Sequence, residues 1–281
     1  MAREQGPLTV CVINLKGGVG KSTIAVLLAR YAFFNLRKDV LAIDLDPQAN
    51  LSQGLMHGGY SAFLRSRRPS IVEVFKGYRP PSRRTGPAPL GSGDVFESVA
   101  QVEDRSIQII PSRFDFSDNL INSIRPDETV LARHLSSAFR QKDLIIIDCA
   151  PTESILTRAA YQASALVLVP VKPEFFATIG FPLLQQSLTT FRNANRGHVI
   201  DVAGVVINNA FYDGGNDGGP EKWRAIEEIR AEAETNGWPI FNNQIPFSRG
   251  FPKIMRGDFS YPGNATLFSR FAREFFAAIN L

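Results

Sequence analysis

Residues 16 to 23 read KGGVGKST and lie between an apolar run, Leu8 to Leu15, and a run of helical character, Ser22 to Asn35. Such a stretch binds phosphate. Gly17, Gly18 and Gly20 allow a tight turn that aims successive N–H groups inward, and the positive end of the following helix dipole meets the same point. Lys21 is placed to reach the β and γ phosphates of a nucleoside triphosphate. Ser22 is placed to set its hydroxyl on a magnesium ion that bridges them, and Val19 and Thr23 complete the loop. Aspartates close two further apolar runs: Asp44 and Asp46 follow VLAI, and Asp148 ends DLIIID. Carboxylates at strand ends hold magnesium or orient a water for attack on phosphorus.

A strict phosphate loop would carry glycine at position 15, where this chain has Leu15, and its loop opens instead on a second lysine, Lys16. This form resembles the deviant Walker A motif of the ParA/MinD family of ATPases. The resemblance implies ATP and Mg2+ as cofactors and an ATP-dependent homodimer in which Lys16 acts in trans on the partner's nucleotide. DLDPQAN (Asp44 to Asn50) looks like the family's second motif, which makes Asp46 the residue that positions the attacking water and leaves Asp44 nearer the magnesium. DCAP (Asp148 to Pro151) matches the family's Walker B form, in which Asp148 holds the metal, often through water. Pro170 to Phe181 resembles the segment that contributes to the dimer face. Asn208, with Asn209 as the second choice, stands where relatives place an asparagine on adenine, and Pro246 falls in the loop beside the base.

The same likeness implies non-specific DNA binding by the ATP dimer, a ParB-like partner that stimulates hydrolysis, and a place on the nucleoid. Exposed cations are what phosphate contacts need, and Arg249, Lys253, Arg256 and Arg270 are the candidates. Where relatives carry a DNA-contacting arginine this chain reads AFYDGGNDGG, and residues 212 to 236 hold seven acids. A second function class is a MinD-like switch on a membrane or protein surface. Its discriminating feature is the terminal run Leu267 to Leu281, whose Phe268, Phe271, Phe275, Phe276 and Ile279 recur at helical spacing. Core packing is the expected role of that face, and no stable membrane insertion is expected.

Elements must position these residues. Leu8 to Leu15, Val40 to Leu45, Ser106 to Pro111, Asp143 to Asp148, Ala165 to Val171 and Ala203 to Asn208 are apolar runs of strand length. Helical patterns alternate with them, the signature of an α/β doubly wound, mostly parallel sheet flanked by helices, as in P-loop NTPases. With 281 residues, 44% hydrophobic and 21% charged, the expectation is a single folded domain over residues 1–281. No apolar run spans a bilayer and the opening MAREQGPLTV lacks a secretory signal, so the cytoplasm is the expected compartment. Two cysteines inside apolar runs read as buried thiols, and three scattered histidines offer no metal spacing. Charge is uneven. Residues 65 to 84 hold seven cations against one acid, Glu73, which is +6 in a chain of +4, so the remainder totals −2. Within a Pro-rich stretch reaching about residue 95, that segment is either a surface for an anionic partner or a solvated loop.

Overall fold

The structure, a computed structural model, describes residues 6–66, 68–76, 95–114, 127–174, 180–212, 219–248, 250–256 and 262–281. In chain order its elements are β1 (Leu8–Val12), α1 (Lys21–Phe34), β2 (Val40–Asp44), α2 (Asn50–Met56), α3 (Gly58–Arg65), α4 (Ile71–Phe75), β3 (Glu97–Val102), β4 (Arg105–Ile110) and α5 (Val130–Ala138). There follow β5 (Leu144–Asp148), α6 (Ile155–Ala163), β6 (Leu166–Val171), α7 (Gly180–Ala194), β7 (Asp201–Tyr212), α8 (Gly219–Thr235), β8 (Ile245–Phe247), α9 (Gly250–Ile254) and α10 (Pro262–Ala278).

The strands form one sheet in the order β3-β4-β2-β5-β1-β6-β7-β8. Every pairing is parallel except that of β3 with β4. The central strands are apolar throughout because both their faces are covered. Successive side chains point to opposite faces. Cys11, Ile13, Leu41, Ile43, Ile145 and Ile147 therefore join one core with α4 to α8. Val10, Val12, Val40, Ala42, Leu144 and Ile146 join the other with α1, α2 and α10.

The terminal helix settles into that second core. Phe268, Phe271, Phe275, Phe276 and Ile279 are buried, Phe271 lies edge-on to Phe241 at 5.3 Å, and Phe276 stacks on Tyr31 at 5.8 Å. The expected core role of the Phe-rich face holds. Among the described residues no helix is long and apolar enough to cross a membrane. On α1 the helical spacing of Ile24, Leu27, Leu28, Tyr31 and Phe34 predicts a face packed on the sheet, but Phe34 is 54% exposed, and Ala29, Ala32 and Phe33 are buried. Arg30 lies over the outward Phe34 ring at 5.0 Å, which covers part of its apolar face.

The basic segment is only partly described. Its single acid, Glu73, closes a capping box with Ser70 at the start of α4, and Arg68 pairs with Glu97 of β3 at 2.5 Å. Arg67, Arg79, Arg83 and Arg84 lie outside the described residues.

At the amino end of the sheet, away from the strand ends that carry the aspartates, an ion pair between buried Lys142 and half-buried Asp39 ties three strands. Lys142 donates to Asp39 Oδ1 at 2.9 Å and to Ser106 Oγ at 2.9 Å, while Asp39 also accepts from the Ser106 N–H and hydroxyl, both at 2.8 Å. Removing one partner of such a pair leaves the other charge uncompensated. Lys142→Met is expected to cost about 3 kcal/mol, the low end because Asp39 keeps its Ser106 donors. A urea titration reads this as a lower midpoint at unchanged slope, and an unchanged midpoint would dismiss the pair as a stabilising element.

Candidate nucleotide site

The glycine loop connects β1 to α1 at the carboxyl edge of the sheet, beside the point where the chain leaves β1 for strands on either side. Gly18 and Gly20 have φ of 74° and 93°, a left-handed backbone that side chains disfavour. α1 starts with no side-chain cap and no acid in its first turn. Its first N–H groups are thus left for an anion. Asn14 pins the loop's start: its Nδ2 donates to the Pro170 carbonyl at 2.8 Å and its Oδ1 accepts from Lys16 N at 2.9 Å.

Parallel register brings the acids together. Asp44 and Asp148 are Cα partners at the ends of β2 and β5, and Val12 is the partner of Asp148 on β1. Lys21 is 6% exposed and its ammonium donates to the Lys16 carbonyl at 3.2 Å. Burial pulls its pKa down, against the opposing pull of Asp148 and Asp46. Asp148 is fully buried, and among the described residues neither of its oxygens meets a donor in hydrogen-bond geometry. Burial raises its pKa well above the carboxylate range, the charge of Asp44 adds to this, and the nearby Ser22 hydroxyl and Lys21 only partly offset it.

Asp44 differs. Its Oδ2 accepts from the Ser52 N–H at 2.8 Å and the Ser52 hydroxyl at 2.7 Å, and its Oδ1 from Asp46 N at 3.1 Å. Burial still pushes its carboxyl up to about 7. Asp44, expected in the magnesium shell, also holds the turn that carries Asp46 through both its oxygens. Asp46 is 8% exposed, accepts from Gln48 N at 2.9 Å and lines the cavity. Ser52 was not singled out in the sequence; a serine six residues past the aspartate turn, at the start of an amphipathic helix, was the available signal.

The cavity has a volume of about 720 Å³ and runs from Gly17, Gly18 and Lys21 past Asp46 to Asn208, Asn209, Phe247, Phe251 and Arg256. The glycine-loop end beside Lys21 and the end walled by Phe247, Phe251 and Met255 are therefore continuous. Pro246 is half-buried in β8, and its neighbours Phe247 and Ser248 form the wall. Of the four cations expected on DNA, Lys253 and Arg270 are exposed, Arg256 is exposed but borders the nucleotide cavity, and Arg249 lies outside the described residues. Part of Pro170 to Phe181, residues 175–179, is likewise outside them. Lys16 does not line the cavity; its ammonium is 3.8 Å from Glu174.

A divalent cation fits these residues. At the cavity Asp44, Asp46 and Asp148 outnumber the buried cation Lys21, and the Asp148 oxygens are desolvated with only the Ser22 hydroxyl and Lys21 to offset their charge. Among the described residues no three His, Cys, Asp or Glu side chains form a metal cage. An ion here must bring most of its ligands as phosphate oxygens and waters, the habit of magnesium rather than of zinc.

Comparison with known proteins agrees with this geometry. A family model described as an AAA domain matches residues 8–200. The chromosome partitioning protein ParA of Caulobacter vibrioides is 30% identical over 220 residues, covering 74% of this chain and 71% of that protein. The chromosome-partitioning ATPase Soj of Treponema pallidum is 30% identical over 241 residues, covering 85% and 82%. In fold, the chain is similar to Cyanothece McdA solved as a variant in complex with ATP, with a TM-score of 0.77, 20% identity and coverage of 99% and 98%.

Proposed function

The chain belongs to the ParA-type family of partition ATPases, and on that premise we propose that it hydrolyses ATP with magnesium and works as an ATP-dependent homodimer. In the dimer state it binds DNA without sequence preference, on the nucleoid of the cytoplasm, and hydrolysis stimulated by a ParB-like partner releases it. Partition or positioning of a plasmid, chromosome region or other cargo is the outcome. The observation that carries this reading is the fully buried Asp148 carboxylate beside Ser22 and Lys21, under a helix N-terminus left uncapped.

Each residue then has a task. The loop N–H groups and Lys21 bind and neutralise the β and γ phosphates. Ser22 and Asp148 would hold magnesium, which supplies charge neutralisation across the bridging phosphate oxygens. Asp46, oriented by Gln48 N–H and by the Asp44–Ser52 pair, positions the attacking water and accepts its proton. Lys16 lies outside its own cavity beside Glu174, which supports a role on the partner's phosphates. The burial of the α10 phenylalanines speaks against the membrane-switch alternative, because an anchor would have to leave the core.

The test uses Asp46→Ala, which should bind nucleotide without hydrolysing it, loaded with ATP or ADP and offered random DNA or anionic liposomes across a salt series. ATP-specific DNA binding that weakens steeply with salt is expected. Liposome binding with no DNA binding would overturn the partition reading.

A further inference from the structure

We propose that Asn208 is a positioning residue of the phosphate loop, and that it joins the base end of the cavity to the phosphate end. The inference rests on the nucleotide reading above and concerns how that site is held in shape. Asn208 lies on β7, which is separated from β1 by β6. Its side chain nevertheless reaches the loop between β1 and α1: Nδ2 donates to the Val19 carbonyl at 2.8 Å, a buried contact across 189 residues of chain. The two groups are closely fitted. A Cβ built on Gly20 would stand 2.2 Å from that same Nδ2, so the loop backbone itself abuts the amide.

A glycine loop lacks side chains to fix it, and a Cβ at Gly17 or Gly18 would meet nothing within 4 Å. Such a backbone loses much conformational freedom when it closes on an anion. Ties made beforehand lower that cost. Three are visible: Asn14 Oδ1 on Lys16 N, the Lys21 ammonium on the Lys16 carbonyl, and Asn208 on the Val19 carbonyl. Only the last comes from a residue that also borders the distal half of the cavity. A carboxamide has two N–H donors and a carbonyl acceptor. With one N–H on Val19, the other and Oδ1 suffice for the N7 acceptor and 6-amino donor of adenine. Occupancy by the base and order in the loop thus act through one side chain.

Tripolyphosphate, which has no base, separates this role from simple base reading. Calorimetric titrations with magnesium would compare the unaltered protein, Asn208→Ala and Asn208→Asp, each with ATP and with tripolyphosphate. Asn208→Ala is expected to weaken both ligands about tenfold, the loss of one buried hydrogen bond. Asn208→Asp keeps the shape but sets an oxygen against the Val19 carbonyl and should weaken both further. Hydrogen exchange at the amides of residues 17–21 in the ligand-free variants should rise while that of β1 does not, which a general loss of stability would not produce. Wild-type affinity for tripolyphosphate in both variants, with only ATP weakened, would overturn the proposal and leave Asn208 a base contact. If the unaltered protein binds neither ligand, the nucleotide reading itself fails.

Discussion

Asp148→Asn is expected to raise the stability of the nucleotide-free protein while lowering its magnesium-dependent turnover at least about 100-fold, the scale of losing a positioned charge partner in a catalytic site. The two effects share a cause. In the folded chain this carboxylate is fully buried and the Ser22 hydroxyl and Lys21 only partly offset that, so ionising it costs free energy that unfolding returns. Asparagine has nearly the same shape and cannot ionise. The sign of the pH dependence follows from the neighbouring pair. Asp44 is pushed from 3.8 to about 7, and Asp148 is raised well above 3.8. The folded state therefore holds protons that the unfolded chain has released. The stability tied to them is complete below pH 3.8 and is lost as pH rises through the folded pKa. Each such proton contributes a slope of up to about 1.4 kcal/mol per pH unit in that window. Thermal unfolding without magnesium should show the variant's advantage growing between pH 5 and pH 8. A variant less stable than the parent at both pH values would mean that the carboxylate has a stabilising partner, and the metal assignment would lose its footing.

Much of this site was legible because its chemistry is local in sequence. KGGVGKST needs only the strand before it and the helix after it, and both are marked by uninterrupted apolar runs. The aspartate at the end of DLIIID needs only the next strand, and parallel register does the rest by setting Asp44 against Asp148. What escaped was non-local. β3 pairs antiparallel at the sheet's edge with a mixed sequence, ESVAQV, that is half-exposed and so carries no continuous apolar signal. That Asp44 also accepts from Ser52, eight residues on, needs the fold to be seen. That Asn208 also donates to Val19 appears only once the fold brings the two together across the sheet. Phe34 fits the helical spacing of a packing face, yet burial on α1 centres on Ile24, Ala25, Leu28, Ala29 and Ala32 and leaves its ring exposed.

Lys16→Ala is expected to keep ATP binding but lose ATP-dependent dimerisation and at least about 100-fold in turnover, since a cation supplied in trans to a transferring phosphoryl group is worth that or more. The geometry separates the two lysines. Lys21 is buried and its ammonium points along the loop, whereas Lys16 sits outside the cavity in a half-exposed pair with Glu174. A pair of that exposure holds by no more than about 1 kcal/mol, so the ammonium leaves it readily for a partner's phosphates. Mixing supplies the decisive measurement. A Lys16→Ala subunit keeps Asp46, and an Asp46→Ala subunit keeps Lys16. In a mixed dimer the site of the first subunit is completed by the lysine of the second. Each mixed dimer has one working site of two, so turnover per mixed dimer should recover to roughly half that of a wild-type dimer. Recovery cannot occur if Lys16 serves its own subunit's nucleotide, because no single subunit in the mixture then holds both residues. Sedimentation in ATP and magnesium must show the mixed dimer forming; with that established, turnover that stays at the level of the separate variants rules out action in trans.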